Sequence, residues 1–257
     1  MRFASLGSGS GGNALVVEVE QTRVLIDCGL GVRETEARLA RLGLSPADLV
    51  GVLVTHEHDD HIGGVAAFVA KHSLKAWMTY GTLRAGLEAG LALSAHAIVI
   101  DSHDAFLIDA LEVHPITVPH DAREPVQYCL SDGSRKLGVL TDTGAPTRHI
   151  SAKLADCDAL VLECNHDPSL LAKGPYPAFL KARVGGDYGH LANAQAAAIL
   201  ASLDCSRLQH VIAAHLSTTN NRAELAQAAL AVVLGCEARE VGVASQINGF
   251  DWRSIHG

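Results

Sequence analysis

The sequence lacks a long apolar run, a closely spaced cysteine pair, a linker and an internal repeat. Its longest apolar stretches, Val65–Ala70 and Leu225–Leu234, are too short or too interrupted to cross a bilayer. The N-terminus has no secretory signal, and the six scattered cysteines are typical of reduced thiols. We therefore expect a cytoplasmic protein without membrane segments, with residues 1–257 forming one domain. The sequence does not indicate an oligomeric state.

Positive charge is also scarce, since the formal net charge is −8. This balance argues against the basic footprint of proteins that grip long stretches of nucleic acid. It still allows local phosphate binding where divalent cations supply the charge. A hydrophobic fraction of 48% and a charged fraction of 19% exclude a disordered chain. The 14 histidines exceed what this length normally carries, and several lie in polar clusters where we expect the chemistry.

Apolar runs and turns predict a layered α/β protein. A β-branched hairpin is expected at Ala14–Val19 and Arg23–Asp27, then a helix over Arg33–Leu42 and a strand buried on both faces at Gly51–Thr55. Strands dominate the first half and alternate with helices later, which predicts a two-sheet core flanked by helices. The further strands expected are Lys75–Thr79, Ala97–Ile100, Phe106–Ile108, Leu111–Pro115, Gln127–Ser131, Lys136–Thr141, Ala159–Glu163, His210–Ala214 and Glu240–Val243, and the further helices are Val65–His72, Asn193–Leu203 and Arg222–Leu234.

The strongest chemical signal is the segment Thr55–His61, which reads Thr-His-Glu-His-Asp-Asp-His. Three imidazoles and several carboxylates follow a buried strand, which gives the loop a rigid base and aims its side chains at a common point. Imidazole nitrogen and carboxylate oxygen are suitable ligands for Zn, Mn or Fe. This segment therefore predicts a metal site.

The pattern His-x-His-x-Asp-His after a strand resembles the signature of the metallo-β-lactamase superfamily. The segments Pro119-His120-Asp121, Thr141-Asp142-Thr143-Gly144 and Ala214-His215-Leu216-Ser217 follow in the order of that superfamily's later motifs. The resemblance implies a four-layer αβ/βα sandwich with two divalent metal ions, Zn or Mn, with Fe also possible. It assigns one ion to His56, His58, His120 and Asp142 and the other to Asp60, His61, Asp142 and His215. Asp142 would bridge the ions, Asp60 would also count as catalytic, and a hydroxide held between the ions would be the nucleophile.

Two further segments resemble ribonuclease Z relatives within this superfamily. Leu160–Asp167 ends a strand in a polar cluster, and Gly189–Ala197 places a histidine before an Ala-rich helix. The resemblance implies that His190, supported by Glu163, assists at the phosphate as a catalytic residue. The alternative is that His190 merely caps the helix.

The whole chain most resembles the bacterial YycJ/WalJ group, which is associated with exonuclease activity on DNA. The resemblance includes the Gly/Ser-rich opening and the segment Leu216–Asn221, and it makes Asn220 a candidate substrate contact. Lys181 and Arg183 lie in a locally basic segment and are candidate phosphate contacts, although a solvated loop would look the same.

These observations predict a dinuclear metal-dependent phosphodiesterase, with a 5′-acting exonuclease on DNA as the preferred activity. One alternative is a phosphodiesterase for a cyclic nucleotide or sugar phosphate, which the acidic net charge favours. Another is a lactone or thioester hydrolase of the same fold, which needs no counterpart of the Glu163/His190 pair. The sequence leaves open the metal, the choice between DNA and RNA, and the cleavage polarity.

Overall fold

Two seven-stranded β-sheets pack face to face in the computed structural model of the chain, which describes residues 1–257. The first sheet has the strand order β14-β1-β2-β3-β4-β5-β6, and the second has the order β13-β12-β11-β10-β9-β8-β7. The strands are β1 (Arg2–Gly7), β2 (Ala14–Val19), β3 (Thr22–Ile26), β4 (Gly51–Leu53), β5 (Lys75–Thr79), β6 (Ala97–Ile100), β7 (Phe106–Ile108), β8 (Leu111–Thr117), β9 (Val126–Ser131), β10 (Lys136–Leu140), β11 (Ala159–Glu163), β12 (His210–Ala214), β13 (Gly242–Val243) and β14 (Phe250–Ser254).

Nine helices connect the strands. They are α1 (Val32–Arg41), α2 (Asp59–Ile62), α3 (Val65–His72), α4 (Tyr80–Glu88), α5 (Arg148–Leu154), α6 (Pro168–Lys173), α7 (Ala178–Val184), α8 (Asn193–Ala201) and α9 (Ala223–Leu234). Short 3₁₀ turns occur at Pro46–Asp48, Cys205–Arg207 and Ala238–Glu240. The longest helix, α9, has 12 residues, and no helix could span a bilayer.

Three apolar clusters hold the layers together. The largest lies between the sheets and includes Phe3, Tyr128 and Leu130, all fully buried. A second packs α5, α8 and α9 against the second sheet, and a third packs α1 and α3 against the first. The layers therefore run helix, sheet, sheet, helix, and the expected four-layer αβ/βα sandwich is confirmed.

Each sheet combines an antiparallel half with a parallel half. In the first sheet β3, β4, β5 and β6 pair in parallel, and in the second β10, β11, β12 and β13 do so. The central parallel strands β4 and β11 are buried along their whole length. Because they are covered on both faces, they consist of almost continuous apolar residues, as predicted for Gly51–Thr55.

Most expected elements form, with small shifts at their ends. The segments Ala14–Val19, Val65–His72 and Ala159–Glu163 match the structure at both ends. The strand expected over Gly51–Thr55 ends at Leu53, because the chain then turns into the His-rich loop. The strand expected over Glu240–Val243 is wrong at its start, since Ala238–Glu240 forms a 3₁₀ turn.

Candidate metal centre

The predicted metal ligands meet at one edge of the sandwich, where the parallel strands of both sheets end. The loop after β4 carries four of them, and the second sheet supplies the others from loops after β8, β10 and β12. The residues brought together are His56, His58, Asp60, His61, His120, Asp142 and His215. All seven predicted ligands therefore lie in one cluster, although they are spread over 160 residues of chain.

Three histidines form the first group. The Nε2 atom of His56 lies 3.0 Å from Nδ1 of His58, and Nε2 of His120 lies 3.2 Å from the same atom. Since Zn–N bonds are about 2.0–2.1 Å, two ligands of one tetrahedral ion lie roughly 3.4 Å apart. Burial lowers the pKa of His56 well below its usual value and that of His120 to about 4. Both rings are thus held in the neutral form that binds metals.

The second group combines Asp60, His61 and His215. Asp60 Oδ2 lies 3.1 Å from His215 Nε2 and 3.4 Å from His61 Nε2. Asp142 lies between the two groups, with Oδ2 2.9 Å from His61 Nε2 and Oδ1 4.0 Å from His120 Nε2. The carboxylate of Asp142 therefore reaches both groups.

The donor set fits divalent metal ions. Asp142 is 1% exposed, and its Oδ2 atom, although 2.9 Å from His61 Nε2, accepts no hydrogen bond of good geometry, which is rare for a buried carboxylate oxygen. Burial by itself would lower the pKa of His61, but the surrounding carboxylates raise it well above its usual value. The cluster thus favours positive charge at its centre. Nitrogen and oxygen ligands without thiolate suit Zn, Mn or Fe.

A buried carboxylate missed by the sequence analysis orients the ligands. Asp27 Oδ2 lies 2.7 Å from Nδ1 of His61, and its oxygens also accept hydrogen bonds from the backbone and hydroxyl of Thr55. Asp27 follows β3, which pairs with β4, so it reaches the His-rich loop from the neighbouring strand. Its φ of 60° lies in the left-handed region, which aspartate tolerates better than most residues. In the sequence, only its position directly after a buried strand indicated that Asp27 could belong to the site.

The Gly/Ser-rich opening also supports the centre. Asn13 Nδ2 lies 3.1 Å from Asp60 Oδ2 and 3.0 Å from His61 Nε2, and Ser8 Oγ accepts the backbone N–H of His215. The backbone N–H of Gly29, two residues after Asp27, donates to the backbone oxygen of Asn13. A Cβ at Gly29 would lie 1.9 Å from the backbone oxygen of Asp60, so only glycine lets these two backbone segments approach so closely. The opening itself forms a tight turn beside the metal ligands, in which the N–H of Gly12 donates to the backbone oxygen of Gly9 at 3.0 Å.

The predicted catalytic pair lies beside the second group. His190 Nδ1 is 2.7 Å from Glu163 Oε1 and 3.0 Å from Asp142 Oδ1. Desolvation would lower the pKa of His190, but these two carboxylates raise it well above its usual value. The helix α8 begins after Ala192, whose N–H donates to the side chain of Gln195, so the His190 ring does not cap it. Glu163 is fully buried at the end of β11.

A polar cavity of about 320 Å³ opens onto this cluster. Two of the predicted substrate contacts, Arg183 and Asn220, line it, together with His190. The guanidinium of Arg183 is 2.5 Å from Asp121, whereas both polar atoms of the buried Asn220 side chain lack a partner. Lys181 does not line the cavity, and its Nζ donates to the backbone oxygen of Ala172.

Comparison with known proteins gives relatives across the whole chain. Residues 22–215 match the family described as Beta-lactamase superfamily domain. The chain is 34% identical to Exodeoxyribonuclease YycJ of Bacillus anthracis over 252 residues, which cover 98% of this chain and 96% of that protein. It is 29% identical to Exodeoxyribonuclease WalJ of Streptococcus pneumoniae, covering 94% of this chain and 91% of that one. The crystal structure of the metallo-β-lactamase fold protein YhfI from Bacillus subtilis is similar with a TM-score of 0.74 at 16% identity, covering 98% and 99% of the chains.

Proposed function

Because the chain belongs to the metallo-β-lactamase superfamily and, within it, to the family of YycJ and WalJ, we propose that it degrades DNA as a 5′-acting exonuclease. It is a metal-dependent hydrolase. The observation that supports a phosphodiesterase is the hydrogen-bonded pair His190 and Glu163 beside the metal ligands. Lactone and thioester hydrolysis need no such pair, so no observation favours a lactone or thioester hydrolase.

We propose that two divalent ions, Zn or Mn, occupy the centre. His56, His58 and His120 would hold one ion, Asp60, His61 and His215 would hold the other, and Asp142 would contact both. When bound, such ions supply an activated water nucleophile and offset the charge of the phosphoryl oxygens. Asp60 would also be catalytic, by orienting the attacking water, and its position among the residues that line the cavity supports this role.

His190 is proposed to protonate the leaving oxygen. Its Nδ1 atom is occupied by buried carboxylates, and its ring borders the cavity, so Nε2 remains for the substrate. Glu163 holds the tautomer and the ring orientation, as a carboxylate does for a general acid–base histidine. Its second oxygen accepts the N–H groups of Thr143 and Leu191, which fixes the carboxylate itself.

On the substrate side, we propose contacts from Asn220 and Arg183. A buried amide with unpaired donor and acceptor is costly unless a ligand satisfies it, and Asn220 borders the cavity. Arg183 could exchange Asp121 for a phosphate oxygen, since both groups line the cavity and the arginine is 58% exposed. Lys181 would serve only a more distant phosphate.

A phosphodiesterase for small molecules is the second candidate. The net charge of −8 and the presence of Asp59 and Asp121 along the cavity favour a substrate with few phosphates. The exonuclease and the small-molecule phosphodiesterase would use the same metal centre. Their substrates differ in whether a nucleic-acid strand continues beyond the scissile phosphate.

We further propose that residues 1–257 act as one domain in the cytoplasm. The apolar cluster between the sheets draws on strands from both halves of the chain, which supports a single unit. All six cysteines are unpaired thiols, which supports a reducing compartment.

The test is digestion of linear DNA with a 5′ phosphate, labelled at either end, with Mn or Zn supplied in parallel. RNA of the same sequence and bis(p-nitrophenyl) phosphate are the comparison substrates. Stepwise loss of nucleotides from the 5′ end that vanishes in Asp142→Ala is the expected result. Cleavage of the small diester with DNA left intact would instead identify the small-molecule phosphodiesterase. Loss from the 3′ end would show that the proposed polarity is wrong.

A further inference from the structure

Two of the three exposed aromatic side chains directly precede residues that line the cavity. Aromatic residues make up only 4% of the chain, and most are buried or half-buried. Three remain exposed: Tyr80 (60%), Phe179 (74%) and Tyr188 (65%). Phe179 and Tyr188 belong to one stretch, Lys173–His190, which we call the rim segment. Two large exposed rings in a segment that borders the cavity make this segment a candidate binding surface.

Phe179 is placed by α7 next to the cavity. Leu180, Arg183 and Val184 of this helix line the cavity. Phe179 precedes Arg183 by four residues, so the two side chains are neighbours on the helix surface. The exposed ring therefore lies beside the guanidinium that borders the metal centre.

Tyr188 is fixed between two loops that carry metal ligands. Its backbone oxygen accepts the N–H of Asp121, which follows His120, at 3.0 Å. A Cβ at Gly144, two residues after Asp142, would lie 2.5 Å from the Tyr188 nitrogen. The backbone of Tyr188 thus packs against the centre while 65% of the residue is open to solvent.

The rim segment is also locally basic within an acidic chain. It carries Lys173, Lys181 and Arg183 against a single acid, Asp187. Aromatic rings combined with cations beside a groove are typical of surfaces that bind unpaired nucleotides, where bases stack and phosphates pair with the cations. Paired bases inside a duplex do not offer their faces to such rings.

We propose that Phe179 and Tyr188 form a stacking platform for unpaired nucleobases of the DNA strand whose phosphate lies in the cavity. The proposal rests on the proposed nuclease function and specifies its substrate as a strand with an unpaired end. Stacking on an aromatic side chain changes affinity by roughly 5- to 150-fold per base and tolerates any base. The platform would therefore select single-stranded ends without reading their sequence.

The test measures binding separately from cleavage. The metal-loaded protein is titrated against a 5′-phosphorylated single strand with phosphorothioate linkages, which suppress hydrolysis, and affinity is read by fluorescence anisotropy. A second strand lacks the bases of its first two nucleotides. The wild type should bind the strand with bases at least about 25-fold more tightly, because each of the two bases contributes about 5-fold or more. Phe179→Ala and Tyr188→Ala should remove most of that difference, whereas Phe179→Trp and Tyr188→Phe should keep it.

Leu107→Ala is the matched control, because Leu107 is 72% exposed on β7, and neither it nor its neighbours in sequence line the cavity. It should bind both strands as the wild type does. Metal content and thermal unfolding of each variant show whether it is folded. Equal binding of the two strands by the wild type would overturn the platform, and so would alanine variants that keep the full difference. A change of oligomeric mass in Phe179→Ala with base-dependent binding intact would identify a contact between chains instead. If the wild type prefers bases but leaves native DNA uncut, the nuclease proposal fails while the platform stands.

Discussion

At the scale of single residues, His190 allows a separation of catalysis from metal binding. Its Nδ1 atom contacts Glu163 and Asp142, and it is not one of the seven proposed ligands. We expect His190→Ala to lower turnover by roughly 10²–10⁴-fold while metal content stays intact, because only the proton donor is lost. Steady-state turnover with bis(p-nitrophenyl) phosphate and elemental analysis provide the two measurements.

The matched control is His149→Ala, since His149 is exposed on α5, outside the residues that line the cavity. It should retain both turnover and metal. Loss of a metal ion from His190→Ala would make His190 a ligand and contradict its assignment as the acid.

Asp27 offers a second test, of an indirect role. Its carboxylate orients His61, and outer partners of metal-bound histidines typically contribute 10- to 100-fold to metal affinity. We expect Asp27→Asn to weaken metal binding by about that factor, measured by competition with a chelator. Asp109→Asn is the control, because Asp109 has a similar φ of 48° in an exposed turn and should bind metal normally. Unchanged affinity in Asp27→Asn would limit Asp27 to a structural role.

The same two residues show what the sequence could predict about the site. His190 was found because it precedes an Ala-rich segment within a recognisable motif. Asp27 was missed because its partners Thr55 and His61 lie 28 and 34 residues away, so its one signal, a position after a buried strand, does not point to them. Only the pairing of β3 with β4 brings them together.

At the scale of secondary-structure elements, Glu18 links three strands. It lies on β2 opposite Arg2 of β1 and Arg23 of β3, and its oxygens bond to their Nε atoms at 2.6 and 2.5 Å. Burial raises the pKa of Glu18, but hydrogen bonds from both arginines outweigh this and lower it below the usual 4.5. A carboxyl with a lowered folded pKa stabilises the fold above its unfolded pKa, and this contribution is lost as the pH falls through the folded value.

We therefore expect Glu18→Gln to lower stability at pH 7 by at most about 1 kcal/mol, since solvent screens a partly exposed pair. The difference between variant and wild type should shrink from pH 7 to pH 3, as read from thermal unfolding. Glu20→Gln, in the turn after β2, is the control and should show no such trend. A difference independent of pH would contradict the ion-pair explanation.

Strands that are buried on both faces were predictable from sequence, because such strands consist of apolar runs. The parallel strands β4, β11 and β12 are apolar runs, and all were expected. The strands β1 and β14 were not, because polar residues interrupt their apolar pattern and β14 is an edge strand with no buried residue. The helix α7 also has no buried residue, so it lacks the apolar periodicity that would reveal a helix.

At the scale of the whole molecule, the proposed metals connect the two sheets. The first sheet contributes ligands from the loop after β4, and the second contributes His120, Asp142 and His215. A ligand that binds only the folded state stabilises it by about 4 kcal/mol at 1,000 times its Kd. We expect chelation to lower the Tm by roughly 10 °C, with recovery on addition of Zn or Mn. In Asp142→Ala the chelator should have no effect, and an unchanged Tm in the wild type would contradict metal occupancy.

The four-layer arrangement was predictable because the order of motifs identified a superfamily with one known architecture. The composition could not show how the sheets pair, since each has an antiparallel and a parallel half whose register depends on contacts between distant strands. The arrangement of the cavity was not predictable either, because it depends on the register of the strands whose loops surround it.

None of the seven proposed ligands lies within residues 168–189, and this separation has an evolutionary consequence. Changes to the side chains of α6 and α7 can alter which molecules reach the centre without moving a ligand, because the ligands sit on loops anchored by buried strands, whereas Tyr188 and Gly189 hold the His120 loop through their backbone oxygens. Descendants of one ancestral gene could therefore diversify in substrate while inheriting the same hydrolytic chemistry. Grafting this stretch between paralogues would be a direct route to new specificities.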